Sequence, residues 1–247
     1  MKNFSNTYTF IYISGVVVVT AALLSFIAEE LRPLQQRNLE IEKKQDILRS
    51  VGKAVIPEGV KNKNLYIEEE FVKYFSSGIV VNNKGEVVEG RDAFEITKNL
   101  KAEFSRPDDQ RGLPLFIYEK EDGSVKYVIP MTGKGLWGQI WGYLALNEDF
   151  NTIYGAVFDH AKETPGLGAE INQKWFQQEF SGKTLFDDAG KFVSVMVMKG
   201  GADPSNPHAV DAISGGTITS KGLEAMLREN LKPYETYFKQ AKIKSDE

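Results

Sequence analysis

The sequence contains no cysteine and only two histidines among its 247 residues. The lack of cysteine excludes disulfides, iron–sulfur clusters held by thiolates, and cysteine nucleophiles. With only His160 and His208 present, a metal or haem site built from several histidines is nearly excluded as well. Any redox chemistry must therefore come from an organic cofactor.

The sequence also lacks an excess of positive charge and a second long apolar run. Its formal net charge is -4, which gives no reason to expect a nucleic-acid partner. The hydrophobic share of 42% suits a globular protein with a core. A lone spanning helix cannot line an ion path, so any conduit must lie in partner subunits.

One uncharged run, "YTFIYISGVVVVTAALLSFIA", covers residues 8–28. At about 1.5 Å per residue it is long enough to cross roughly 30 Å of hydrocarbon. The alternative is a signal peptide, which has a shorter apolar core and a small-residue cleavage site. The following "FIAEELRPL" has no convincing site. We therefore predict a short tail, 1–7, and an uncleaved single-pass anchor, 8–28, in the inner (cell) membrane.

A charged segment follows the anchor. Its apolar residues have roughly helical spacing over 34–51, and Pro33 fits a helix start, so we predict a linker helix over 29–52. Before the anchor stands Lys2, and just after it come Arg32, Arg37, Lys43, Lys44 and Arg49. Taken alone, the positive-inside rule places the body in the cytoplasm.

The body, residues 53–247, has the pattern of an α+β domain. The sequence Asp122-Gly123 between two apolar runs is a strong hairpin signal. Helices are predicted over 91–104, 170–180 and 221–239. Strand patterns occur in "GIVVNNKGEVVEG", "LFIYEKEDGSVKYVIPM", "IWGYLALN", "TIYGAVFD" and "KFVSVMVMKG". Hairpins with interspersed helices predict a largely antiparallel sheet with flanking helices.

The segment "DAISGGTITS", residues 211–220, places two glycines and four hydroxyl residues just before a predicted helix. It is either an ordinary loop with Thr219 or Ser220 as N-cap, or a loop in which one hydroxyl is an attachment point. A helix N-terminus suits a phosphate, and glycines allow close approach of the backbone. Composition leaves both interpretations open.

The order Ser214-Gly215-Gly216-Thr217 resembles a covalent flavinylation motif. That motif belongs to the NqrC family of the sodium-translocating NADH:quinone reductase and to the related flavin-bearing subunit of the Rnf complex. In the family pattern, Ser/Thr-Gly-Ala-Thr, the last threonine carries FMN through a phosphodiester bond. The resemblance assigns this role to Thr217. Gly216 stands where the family usually has alanine, and both residues are small.

Three other segments resemble the family in the same order: "TGKGLWGQIWGY", "DHAKETPGLGAE" and "VMVMKGGADP". Their local alternatives are a core tryptophan in a glycine-rich bend, a turn with Glu163 and His160 solvated, and a solvated lysine at a strand end. The resemblance instead implies apolar walls for a flat ring, a hydroxyl for its polar atoms and a lysine near its phosphate or carbonyls. The implied FMN-binding residues, besides Thr217, are Leu136, Trp137, Glu163, Thr164, Leu167, Gly168, Lys199, Gly200, Ser214, Gly215 and Gly216.

The resemblance implies a membrane-anchored electron carrier within a six-subunit complex, without catalytic or metal-binding residues of its own. Electrons would arrive from an iron–sulfur centre and leave to a second covalent FMN in the large membrane subunit, with the NADH and quinone sites elsewhere. The family places the soluble body on the periplasmic side, where a flavin transferase attaches FMN. The alternatives are the Rnf relative, an anchored flavin-binding module without electron transfer, and a purely structural tethered domain.

Overall fold

The computed structural model describes residues 5–75, 77–120 and 122–245. The chain divides into two compact units, one ending at Glu42 and the other beginning at Lys43. The first consists of the greater part of one long helix. The second is the α+β body.

Helix α1 runs from Asn6 to Ser50 and contains Pro33 in its interior. It is the one helix of the described chain that is long and apolar enough to cross a membrane. The predicted helix start at Pro33 is wrong, because the good helix formers on both sides of this proline continue the helix across one missing N–H donor. No break in α1 marks the limits of the anchor, 8–28, or of the linker, 29–52, and those limits stay predictions. From Lys43 onward the helix belongs to the body, where Ile47 and Leu48 are fully buried.

The body is built on a five-stranded antiparallel sheet in which each strand pairs with the next along the chain. Its strands are β1 (Ser77–Val81), β2 (Leu113–Glu119), β3 (Val125–Lys134), β4 (Gln139–Leu146) and β5 (Ile153–His160). The predicted hairpin joins β2 and β3, where Asp122 accepts the N–H of Ser124 and Gly123 has a φ of 83°. The predicted α+β class with a largely antiparallel sheet is confirmed.

A second, two-stranded sheet is parallel. Strands β6 (Met196–Met198) and β7 (Ala209–Asp211) pair in register. Of the predicted strand "KFVSVMVMKG", only Met196–Met198 is a strand in the structure. The apolar run after Asn82 also gives no strand, because Val87 makes a single bridge to Val81.

The helices of the body are α2 (Lys63–Tyr74), α3 (Ala93–Lys98), α4 (Leu100–Phe104), α5 (Lys174–Gln178), α6 (Thr217–Leu231) and α7 (Glu235–Ser245). Helix α2 is not among the predicted helices. The predicted helix 91–104 is interrupted at Asn99, and only 174–178 of the predicted helix 170–180 is α-helical. The predicted helix 221–239 begins four residues earlier, at Thr217, and passes through a 3-10 turn at Lys232–Tyr234, where Pro233 cannot donate a backbone hydrogen bond.

Helix α6 packs against β3 at two glycines. The backbone carbonyl of Lys134 lies directly against Gly222, and a Cβ on Gly133 would lie 2.7 Å from the Cβ of Met226. Leu223 and Leu227 on the same helix are fully buried in the core. This close contact places the first turn of α6 beside the loop that joins β3 and β4.

Candidate functional site

A cavity of about 220 Å³ lies at the N-terminal end of α6. Three loops form it: the one between β3 and β4, the one after β5, and the one that leads into α6. It is lined by Leu136, Trp137, Glu163, Thr164, Leu167, Gly168, Gly215, Gly216, Thr217, Ile218 and Thr219. The fold therefore brings together three of the four segments that carry the resemblance.

The loop between β3 and β4 is a tight turn from Gly135 to Gly138. The N–H of Gly135 donates to the carbonyl of Gly138 over 2.8 Å. Leu136 and Trp137 project from this turn and are 45% and 64% exposed. Trp137 is therefore a wall of the cavity and not a core tryptophan, which was the local alternative.

The loop after β5 contains a turn from Thr164 to Leu167. The N–H of Leu167 donates to the carbonyl of Thr164 over 3.1 Å, and Gly166 has a φ of 75°. Proline and then glycine at the two central positions is the pattern of a type II turn. The turn places Thr164 and Leu167 next to each other on the cavity wall.

The loop into α6 ends in an N-terminus without a side-chain cap. Gly215 has a φ of 73°, and the N-cap residue is Gly216. The prediction of Thr219 or Ser220 as N-cap is wrong, because the Ser220 hydroxyl accepts the N–H of Ile213 and Thr219 bonds elsewhere. Thr217 is the first helical residue and half-buried. Its hydroxyl has no hydrogen bond to any residue that the structure describes.

Glu163 connects the three loops. Its side chain is only 5% exposed. Its Oε1 accepts the backbone N–H of Trp137 over 2.9 Å, and its Oε2 accepts the hydroxyl of Thr219 over 2.6 Å. Its own N–H donates to Nδ1 of His160 over 3.2 Å. The solvated Glu163 of the local alternative is therefore wrong, because both carboxylate oxygens bond to the protein.

Gly168 leaves the space that this carboxylate occupies. A Cβ at position 168 would lie 2.5 Å from both Oε2 of Glu163 and Oγ1 of Thr219. Any larger residue would push these two groups apart. Gly168 therefore acts on the shape of the cavity through Glu163.

Three predicted residues do not line the cavity. Lys199 and Gly200 are exposed in the turn after β6, where Asp211 holds the next part of the turn by accepting the N–H of Ala202. Ser214 is exposed because the turn from Ile213 to Gly216 buries those two residues and leaves the serine outside. The structure does not bring these three residues to the cavity wall, and their contact with a cofactor stays a prediction.

The strand that leads into the α6 loop is held by Glu179. Its Oε2 accepts the N–H of Asp211 over 3.0 Å. Burial raises the pKa of the Glu179 carboxyl, and the bond from Asp211 works against that rise. This contact ties the end of β7 to the segment after α5.

A family model described as FMN-binding domain matches residues 135–232, a range that includes every residue lining the cavity. The chain is 30% identical over 219 residues to the NqrC subunit of the Na(+)-translocating NADH-quinone reductase of Vibrio vulnificus (strain YJ016), with 85% of this chain and 84% of that one covered. The same subunit of Neisseria meningitidis (strain DSM 15465 / Z2491) is 31% identical over 235 residues, with 87% and 86% covered.

The chain belongs to the NqrC family. Two solved structures agree. The family member from Parabacteroides distasonis has a TM-score of 0.71 and 40% identity, covering 84% of this chain and 96% of that chain. The structure of Shewanella oneidensis NqrC has a TM-score of 0.66 and 27% identity, covering 85% and 99%. The resemblance drawn from the sequence motifs is confirmed.

The cavity suits the FMN of an NqrC family member. Leu136, Trp137 and Leu167 offer apolar faces for a flat ring, Thr164 offers a hydroxyl, and the uncapped start of α6 suits a phosphate. Its volume of about 220 Å³ is below the roughly 300–1,000 Å³ typical of ligand pockets. Leu136, Trp137 and Leu167 are each more than 40% exposed, so a ring bound against them would be only partly enclosed.

Two cavity residues lie outside the predicted set of cofactor contacts. Ile218 is 57% exposed in the first turn of α6, and its apolar side chain among hydroxyl residues is the one local signal. Thr219 is predicted only as an N-cap. Its bond to Glu163 has no signal in the sequence, because the two residues are 56 positions apart.

Proposed function

We propose that this chain carries one FMN, esterified through its phosphate to Thr217, and passes electrons within a sodium-translocating NADH:quinone reductase. The observation that carries this proposal is the position of the Thr217 hydroxyl. Thr217 is the first residue of a helix without a side-chain cap, and it lines the cavity. Its hydroxyl has no hydrogen bond within the described chain. The assignment to this complex comes from the names of the relatives.

The residues of the cavity divide the binding of FMN among them. The phosphodiester keeps one negative charge, which the N–H groups and the dipole of α6 stabilise. Leu136, Trp137 and Leu167 hold the ring faces, and Thr164 donates to a ring oxygen or the phosphate. Gly215 and Gly216 allow the loop beside Thr217 to pack closely, since a Cβ on either would contact Leu167 or Ile213. When bound, FMN supplies the electron transfer that none of these side chains can perform.

The chain acts as a carrier and not as a complete enzyme. A ring that is only partly enclosed leaves an edge accessible to other redox centres. We assign the electron donor to an iron–sulfur centre in a neighbouring subunit and the acceptor to a second covalent FMN in the large membrane subunit. The remaining subunits of the six-subunit complex hold the NADH and quinone sites.

We further propose that the body lies on the periplasmic side, where a flavin transferase modifies it. The basic residues after the anchor favour the opposite side, but long domains translocate largely regardless of flanking charge. Protease added to intact spheroplasts should digest the body. Protection until the cells are lysed would contradict this orientation.

The covalent link is tested by the intact mass of the chain after coexpression with the transferase. The expected adduct is one FMN less one water. Thr217→Ala should abolish the adduct and keep the fold, whereas Ser214→Ala should keep both, because Ser214 is a nearby hydroxyl outside the cavity. A Thr217→Ala chain that retains stoichiometric FMN after denaturation refutes the assignment.

A further inference from the structure

Three lysines surround the loop between β3 and β4. Lys134 is the last residue of β3, and its carbonyl contacts Gly222, the neighbour of Lys221 on α6. Lys162, in the loop after β5, lies beside the other end of the β3–β4 loop, with its Cβ 3.6 Å from the position of a Cβ on Gly138. All three side chains are exposed. None of them forms an ion pair with the part of the chain that the structure describes.

The centre of this face is apolar. Trp137 and Leu136 belong to the loop that the lysines surround, and Ile218 and Leu167 line the same cavity. Without FMN these four side chains are all more than 40% exposed, at 64%, 45%, 57% and 43%. With FMN bound as proposed, three of them turn one face to the ring, and a partner meets their outer faces and Ile218. An exposed apolar cluster with a charged rim is typical of a protein interface, and tryptophan is enriched among residues that dominate binding. We call these four residues and the three lysines the lysine-rimmed face.

We propose that the lysine-rimmed face is the docking surface for a redox partner protein that presents carboxylates around an apolar centre. The proposal rests on the proposed function, since it assumes that the partner must approach the open side of the FMN cavity. The lysines on the rim of this face are positive, whereas the formal net charge of the whole chain is -4. An acidic partner is therefore attracted here and repelled by the net charge of the chain, which favours one orientation and speeds association.

The three lysines act as a group, so the test reverses the charge of two lysines at a time in the assembled complex. The variants are Lys134→Glu with Lys221→Glu, and Lys162→Glu with Lys221→Glu. The control is Lys84→Glu, in the turn after β1. That turn contacts Tyr237 and Gln240 of α7, which follows the opposite end of α6. The reduction by NADH of the FMN on this chain is followed by stopped flow at several salt concentrations.

At low salt we expect reduction in the double variants to be slower by about tenfold or more, because like charges set against the partner's carboxylates weaken docking within the complex. Added salt should slow the unmodified complex and have little effect on the double variants. The control should behave as the unmodified complex. Equal rates and equal salt dependence in all complexes would overturn the proposal.

A second readout does not depend on flavin. A carbodiimide that joins amines directly to carboxylates should link Lys134, Lys162 or Lys221 to acidic residues of another subunit. Links only between two copies of this chain, or no such links, refute the docking surface. Binding to vesicles of phosphatidylglycerol and phosphatidylcholine tests a lipid surface instead. If the double variants lose this binding and no such link forms, the docking proposal is also refuted.

The intact mass separates this proposal from the proposed function. If the double variants lose the FMN adduct, the lysines hold the phosphate and the docking proposal is wrong. If the unmodified chain itself has no adduct, the proposed function fails, and the carbodiimide links alone decide the docking surface.

Discussion

The hydroxyl of Thr219 donates a hydrogen bond of 2.6 Å to Oε2 of Glu163, and both side chains are buried. This bond joins the first turn of α6 to the loop after β5. Because the other carboxylate oxygen accepts the N–H of Trp137, one side chain sets the relative positions of all three cavity loops. Thr217 lies two residues before Thr219, so its hydroxyl is positioned by the same contact.

Removing the Glu163 carboxylate should destabilise the chain and lower FMN attachment. Glu163→Ala leaves two donors without partners, at a cost of about 2–4 kcal/mol in the free energy of unfolding. Glu163→Gln should cost only about 1 kcal/mol, because its oxygen can accept from Trp137 and its amide can donate to Thr219. Urea unfolding of the full chain in detergent, followed by tryptophan fluorescence, measures both values.

A double-mutant cycle checks the origin of this effect. Glu163→Ala combined with Thr219→Val should show an interaction energy of about 0.5–3 kcal/mol, as expected for residues in direct contact. A value near zero would mean that the two side chains act independently. The FMN adduct, measured by mass on the same samples, separates loss of positioning from loss of folding.

Alanine should be tolerated at Gly216 but not at Gly168, although the two glycines lie close together in the fold. Gly168→Ala places its Cβ 2.5 Å from Glu163 and Thr219, so it should cost about 1–3 kcal/mol and strongly reduce FMN attachment. Gly216→Ala places its Cβ 3.0 Å from Ile213 and 3.3 Å from the Gly168 nitrogen, which small shifts can relieve. Its φ of -102° is accessible to alanine. Attachment should therefore persist in Gly216→Ala, and intact mass compares the two variants. The reverse result would contradict the cavity geometry.

Tyr234 should make stability depend on alkaline pH. Its buried hydroxyl donates to the Pro114 carbonyl over 2.7 Å, and burial raises the pKa of Tyr234 well above its usual 10.0. The folded chain keeps this proton at a pH where the unfolded chain releases it. The stabilisation is therefore complete below pH 10 and declines above it, by about 1.4 kcal/mol per pH unit.

Tyr234→Phe removes this dependence. The variant should be about 1 kcal/mol less stable at neutral pH, because it loses one hydrogen bond, and its stability should fall less steeply above pH 10. Burial also raises the pKa of Tyr127 and Tyr237, so part of the slope should remain. Equal slopes for both chains, from urea unfolding on either side of pH 10, would show that Tyr234 does not contribute.

The sequence predicts well those turns whose conformation depends only on residues adjacent in the chain. The hairpin at Asp122-Gly123 and the turn at Pro165-Gly166 form as expected, because positive φ at a glycine is a local property. The start of α6 lies several residues before its predicted position. Its hydroxyl residues have the pattern of caps, but Ser220 accepts the N–H of Ile213, seven residues earlier, and Thr219 bonds to Glu163, 56 positions away in the sequence.

The sequence by itself determined the apolar run at 8–28, the exclusion of thiolate-held redox centres, and the motifs that resemble the NqrC family. Only the tertiary structure decided which motif residues meet. The packing of α6 on β3 at Gly222 brings Glu163 to Thr219 and leaves Ser214 and Lys199 outside the cavity. The physical reason is that contacts between distant residues depend on strand pairing and on the space between packed elements, which local patterns do not encode.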